Sequence, residues 1–183
     1  MSNILHSNKT AEWYSPQYIV EASRHAMGSI DLDPASCIEA NEIVKAPFIY
    51  TKEYSGLANV WTGNVFLNPP SKCDQEKCAK RCSCKLPRKF MHRMFEQYYE
   101  GRVTSAIYVG FNIGQLKYLE DEHFHSDDVR FVIPRKRIKF WQPGVEKNNP
   151  TQDNFILLLS KDLAVRTRFD DVFGELGQVW QSV

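Results

Sequence analysis

No apolar run in this chain is long enough to span a bilayer, and no secretory signal opens it. A cytoplasmic protein with no membrane partner is therefore expected. Neither sign of charge dominates: 23 Lys and Arg stand against 22 Asp and Glu, a formal net charge of +1. Charge balance alone gives no footprint for nucleic acid, so any basic surface has to be local. There is no internal repeat and no low-complexity segment, which sets aside repeat arrays. Cysteine is scarce, and four of the five cysteines are clustered. That usage fits a reducing compartment and a metal better than a disulfide framework. No Gly-x-Gly follows the first strand candidate, so there is no dinucleotide-binding fingerprint. What remains is 183 residues, 43% hydrophobic and 25% charged, which suits one domain with a proper core.

The most informative stretch is Val65-Phe66-Leu67-Asn68-Pro69-Pro70-Ser71. Val65 to Leu67 has the character of a buried strand, and the prolines end it because they have no N–H for a ladder and a fixed φ. Asn68 is thereby placed at a strand end, where open α/β sheets bind ligands. Its carbonyl offers an acceptor beside backbone carbonyls that cannot swing away. An exocyclic amine or side-chain amide is a poor nucleophile because its lone pair is delocalised. Acceptors held on its N–H groups favour the sp³-like nitrogen that forms as it attacks a methyl group. Asn-Pro-Pro after an apolar strand is similar to the amino-methyltransferase motif, usually Asp/Asn-Pro-Pro followed by an aromatic. The alternative is a strand that simply ends in a proline turn.

Residues 1–10 read as a polar arm. Ser15 is expected to cap a helix over Gln17–Met27 with Pro16 at its first position; Ile19, Ala22, Ser23 and Ala26 share a face and Gly28 stops it. A helix N-terminus beside Trp13 suits a carboxylate and an aromatic ring, although a capped helix with a core Trp explains the same residues. Ser29 to Asp33 reads as a short strand, with Asp31 and Asp33 at strand spacing before Pro34. Such a pair suits a ligand offering an ammonium or hydroxyls, or forms an Asx turn. Cys37 to Asn41 begins a turn or short helix, residues 42–60 look irregular, and Phe48 to Tyr50 is a possible short strand.

Downstream, Phe90, Met91, Met94, Phe95 and Tyr98 mark a core-facing helix over Leu86–Tyr99. Strands are expected over Thr104–Phe111, Val129–Ile133 and Asn154–Leu159, and a helix over Ile113–Phe124. The last two strands lie too close for a helical crossover and should pair antiparallel. Residues 160–183 read as a tail with room for one short element. The fold class is α/β, a mostly parallel sheet flanked by helices, in a single domain with a Cys-rich insert at about residues 72–86.

Within that insert Cys73, Cys78, Cys82 and Cys84 are numerous and close enough to hold one Zn²⁺ tetrahedrally, or they are free thiols in a basic loop. Arg135-Lys136-Arg137-Ile138-Lys139-Phe140-Trp141 carries four cations and two aromatics. Cations suit phosphates and aromatics suit unstacked bases. If extended, the segment puts Arg135, Arg137 and Lys139 on one face and Lys136, Ile138 and Phe140 on the other. A solvated charged strand with core aromatics is the competing reading.

Taken in order, Glu12-Trp13-Tyr14-Ser15-Pro16, Asp31-Leu32-Asp33-Pro34-Ala35-Ser36, Asn41, Tyr50-Thr51, Gly56-Leu57, Trp61 and Asn68-Pro69-Pro70 resemble the phage-type DNA adenine-N6 methyltransferase family. Ala106 to Phe111 and Pro134 to Phe140 resemble it too, so the likeness covers roughly residues 10–160. The resemblance implies a class I methyltransferase-like (Rossmann-like) fold, S-adenosylmethionine as donor, methyl transfer to adenine N6 in DNA, and a phage or prophage origin. Asn68, Pro69 and Pro70 would hold the target amine. Asp31 and Asp33, with Trp13, Ser15, Pro16 and Asn41, would border the donor. Ser71 stands where many members have the aromatic that stacks on the flipped base. Phe140, Trp141 or Tyr14 is expected to take that role. The same chemistry would also serve RNA or a protein amide. A non-catalytic, zinc-containing nucleic-acid-binding domain is the alternative of a different class. Any zinc would be structural, because the reaction itself calls for no metal.

Overall fold

The structure is a computed structural model that describes residues 13–71, 85–119, 126–144 and 151–181. Its framework is a seven-stranded sheet. In chain order the elements are α1 (Gln17–Met27), β1 (Leu32–Asp33), α2 (Ile38–Val44), β2 (Phe48–Ile49), β3 (Gly63–Leu67), α3 (Leu86–Tyr99), β4 (Val103–Gly110), β5 (Val129–Pro134), β6 (Phe155–Ser160), α4 (Leu163–Gly174) and β7 (Gly177–Gln181). Short 3-10 helices cover Gly56–Ala58 and Ile113–Tyr118.

The spatial order is β2-β1-β3-β4-β6-β5-β7. β2, β1, β3 and β4 run parallel. β6 is antiparallel to both β4 and β5, and β7 is antiparallel to β5. The expected antiparallel pairing of the two strands at Val129–Ile133 and Asn154–Leu159 is present. The sheet is thus mixed, and this α/β architecture is compatible with a Rossmann-like fold.

The central strands are apolar on both faces because both faces are covered. Phe66, Ile107, Val109, Ile156 and Leu158 point into one core layer with Ile19 and Val20 of α1 and Phe169 and Phe173 of α4. Val65, Leu67, Ala106, Tyr108, Leu157 and Leu159 point into the other, against Phe90, Met91, Met94 and Phe95 of α3. The period-2 alternation of side chains makes one continuous apolar run serve two layers.

Three expectations change. Residues 160–183 hold a twelve-residue helix and an edge strand. α4 is driven by Val165, Phe169 and Phe173, which recur every fourth residue and are buried, and Asp162 caps it by accepting from Ala164 N at 2.8 Å. The stretch from Ile113 forms a six-residue 3-10 helix rather than an α-helix; the expected remainder, from residue 120, lies outside the described residues. At α1, Pro16 occupies the cap position in an extended conformation (φ −69°, ψ 151°), and no side chain caps the helix. Ser15 is one residue too early to reach the free N–H groups.

Candidate functional site

The chain steps outward from β1 to β2, then returns past β1 to β3 and on to β4. Its direction therefore reverses between β1 and β3, and a crevice opens at their carboxyl ends, the usual ligand position in such sheets. A cavity of about 410 Å³ lies there. Asp33 and Pro34 close it at the end of β1, and Asn68, Pro69, Pro70 and Ser71 at the end of β3. Trp13, Tyr14 and Ser15 form another wall, and Leu57, Phe66, Phe90 and Phe111 supply apolar surface. The volume and the mixture of apolar walls with a few polar groups suit a small molecule or cofactor.

Asn68 is half-buried, and its Nδ2 donates to the Trp13 carbonyl at 2.8 Å. That bond fixes the orientation of the amide, since a carbonyl can accept only from the NH₂ side. Oδ1 is left as an acceptor with no partner among the described residues. Pro69 is buried and fixes the backbone beyond it. Ser71 lines the cavity and is exposed.

Asp33 is only 3% exposed. Its Oδ1 accepts from Ala35 N at 3.1 Å, the Asx turn foreseen at Asp33-Pro34. Burial pushes its carboxyl up to about 7, against smaller opposing effects of the Ala35 N–H and the Ser36 hydroxyl. Near neutral pH this group is poised between donor and anion. Ser15, 5% exposed, also lines the cavity, and its Oγ has no hydrogen-bond partner among the described residues. A buried hydroxyl left without a partner is uncommon in folded proteins. Asp33 and Ser15 together leave polar capacity for a ligand with donors or a positive charge.

The wall behind Asp33 is set by close backbone contact. A Cβ on Gly56 would sit 2.1 Å from the Pro34 carbonyl oxygen, so only glycine fits. Trp61, fully buried, donates from Nε1 to the Gly56 carbonyl at 2.7 Å and holds that turn down. Cys37 is a further cavity residue: its Sγ caps α2 by accepting from Ala40 N at 3.4 Å and lies 3.3 Å from the Tyr14 hydroxyl. Burial is the main cause that pushes the Cys37 thiol up. The only sequence signal for that role was a small polar residue ahead of a short helix. Lys52 and Phe111 also line the cavity, and nothing in residues 42–60 marked Lys52 out.

The other expected donor residues are placed differently. Asp31 Oδ2 accepts from Asn64 N at 2.8 Å and sits against Gly63, so this carboxylate joins β1 to the start of β3 and does not line the cavity. Asn41 makes a two-way clamp with the Ala46 backbone (2.9 and 3.1 Å) and closes the end of α2. Pro16 lies outside the cavity lining.

In the basic segment, Arg137 and Lys139 are exposed while Ile138 and Phe140 are buried, so the alternation holds from residue 137 onward. Phe140 is 2% exposed and packs against Phe111, with 5.3 Å between ring centroids. It belongs to the core and cannot stack on a base, a correction to its assignment as a nucleic-acid contact. Trp141 packs edge-on against Tyr14 at 5.0 Å, pairs with it through the backbone, and donates from Nε1 to the Ser15 carbonyl at 3.2 Å. It positions the cavity wall and does not line the cavity. Of the three aromatics expected to replace the missing stacking residue, only Tyr14 lines the cavity. Arg135 donates to the Glu175 carbonyl and Arg137 pairs with Asp153 at 2.7 Å, and both remain solvent-facing. Lys139 is exposed as well.

Cys73, Cys78, Cys82 and Cys84 lie outside the described residues. Among the described residues no group of His, Cys, Asp or Glu is arranged to hold a metal ion, and no helix is long and apolar enough to cross a membrane. Comparison of the chain with models of known protein families, with curated proteins and with solved structures gave no match.

Proposed function

We propose that the protein is an S-adenosylmethionine-dependent methyltransferase of class I type that acts on adenine N6 in DNA. The observation that carries this reading is the Asn68 amide: its NH₂ is committed to Trp13, and its Oδ1 has no partner among the described residues beside a cavity that also contains Asp33. The cavity residues fit the donor. Asp33 suits its cationic or hydroxyl-bearing part, the unpartnered Ser15 Oγ has room for a hydrogen bond, and Leu57, Phe66 and Phe90 suit an aromatic ring. When bound, S-adenosylmethionine supplies an electrophilic methyl.

Asn68 Oδ1 accepts a hydrogen bond from the target amine. The carbonyl dipole is oriented in advance, so no reorganisation is needed as the nitrogen gains sp³ character. Pro69 and Pro70 keep the backbone carbonyls beside Asn68 from turning away. Tyr14 and Trp13 are the aromatic surfaces that border the place a flipped base would take. The arrangement orients the nitrogen lone pair; the proton released after transfer passes to solvent.

The test is transfer of a radiolabelled methyl group from S-adenosylmethionine to DNA, RNA and protein, with product digestion to locate the label. Label in N6-methyladenine of DNA is expected. Label only in RNA or in a side-chain amide moves the substrate class, and no label in any of them overturns the enzymatic reading. The zinc expectation at the four clustered cysteines stands as a separate, structural proposal.

A further inference from the structure

We propose that the solvent-facing side of α3 is a docking surface for the phosphate backbone of duplex DNA. This rests on the methyltransferase reading and adds to it where the substrate is held.

Lys85, Arg88, Lys89, His92 and Arg93 line one open groove along α3, together with Leu57 and Glu96. Their spacing places them on one face of the helix, while Pro87, Phe90, Met91, Met94 and Phe95 are buried on the other. From residue 85 to 93 the chain has four of its Lys and Arg and none of its Asp and Glu, although the whole chain is nearly neutral. Glu96, the acid in the groove, is taken by Arg93 at 2.6 Å, and Arg93 also donates to the Asn59 carbonyl at 2.9 Å. Arg88 donates from Nε to His92 Nε2 at 3.1 Å, which steadies the guanidinium. Lys85, Arg88 and Lys89 are exposed and have no carboxylate partner among the described residues.

Three such cations on one face concentrate positive potential that no carboxylate among the described residues neutralises. A duplex is the complementary surface. At about 1.5 Å of rise per residue, Lys85 to Arg93 extends ~12 Å, the axial length of roughly three to four nucleotides of one strand. Lys85, Arg88 and Lys89 are exposed on an open groove, where long cationic side chains suit phosphate oxygens. Phosphate contacts of this kind position the backbone and set its register. The groove also leads to the site: Leu57 lines both groove and cavity, and Leu86 and Phe90 of the same helix line the cavity. A strand held on α3 therefore passes the cavity mouth. This face lies across the sheet from Ile138 and Phe140, so it is separate from the basic segment at residues 135–139.

The test is the double variant Arg88→Gln/Lys89→Gln, compared with wild type and with Arg135→Gln/Arg137→Gln. Affinity for a fluorescent random-sequence DNA duplex is measured by anisotropy at several salt concentrations. Calorimetry with S-adenosylmethionine runs in parallel. The α3 variant should bind DNA roughly tenfold or more weakly, and the slope of log affinity against log salt should fall by about 2, at ~0.9 per lost phosphate contact. Its donor affinity should match wild type, because neither residue touches the cavity. A salt slope equal to wild type overturns the docking surface. So does a wild type that binds S-adenosylmethionine but prefers an RNA duplex or no duplex. A wild type that fails to bind S-adenosylmethionine overturns the methyltransferase reading instead, and the slope comparison still decides the surface.

Discussion

Replacing Asp33 by Asn tests the electrostatics of the cavity directly. Burial raises the Asp33 carboxyl from the ordinary value of 3.8 to about 7 in the folded chain. Between those two pH values the folded state holds a proton that the unfolded state has released. Stability from this group is therefore full below the unfolded value and is lost as pH rises through the folded one. At ~1.4 kcal/mol per pH unit, the full loss above pH 8 is about 4 kcal/mol. Asn cannot ionise, so Asp33→Asn should remove this loss. The stability difference between variant and wild type should widen by about 2 kcal/mol in favour of the variant from pH 5 to pH 7, then level off above pH 8. Urea unfolding at a series of pH values reads it, with the slope of each transition checked for constancy. The variant should also bind S-adenosylmethionine more weakly, since it has no charge to offer a cation. A difference that stays flat from pH 5 to pH 9 would refute the claim that Asp33 is held proton-bound by burial.

Asn68→Ala should lower single-turnover methyl transfer by roughly 10²–10³-fold, the usual loss for one preorganised partner. Asn68→Asp is the sharper variant: it keeps an acceptor but has no N–H for the Trp13 carbonyl, so it should also be slow, and a rate near wild type would show that the Trp13 bond does not matter. Phe140→Ala should cost ~3–5 kcal/mol of stability by chemical denaturation, as expected for a buried ring; a loss under 1 kcal/mol, together with weaker DNA binding, would restore it as a surface contact. Elemental analysis of the purified protein should find about one zinc ion per chain, and its absence together with four freely reacting thiols rejects Cys73, Cys78, Cys82 and Cys84 as ligands.

The sheet's centre was legible because β3, β4 and β6 are apolar runs bounded by turn residues, and α3 because its stripe recurs at helical spacing. α4 was missed although Val165, Phe169 and Phe173 carry the right period, because Arg166, Arg168, Asp170 and Asp171 between them gave the segment the look of a polar tail. β7 has no alternation to find: it is an edge strand whose Trp180 is 52% exposed, and its pairing with β5 is supplied by tertiary contact. At the site, Asn68 and Asp33 could be placed because a proline after a strand marks its end. Asp31 could not be told from Asp33 in the sequence. Both are acids at a strand, and only the approach of Gly63 and Asn64 turns one of them away from the cavity. Phe140 and Trp141 misled because cations beside aromatics look alike whether the rings face a base or the core.

The bond from Asn68 to Trp13 joins residues 55 positions apart, and the bond from Trp141 to Ser15 joins residues 126 apart. Contacts of such separation form late, because a long loop has to be closed before they give anything back. α3 and the β3–β4 unit it connects need no help from the segment at Trp13–Ser15 to assemble. A refolding chain should therefore form the β3–α3–β4 unit before the Asn68 amide is oriented. Completion of the cavity should lag behind that unit by the time the Trp13–Ser15 segment takes to reach Asn68 and Trp141.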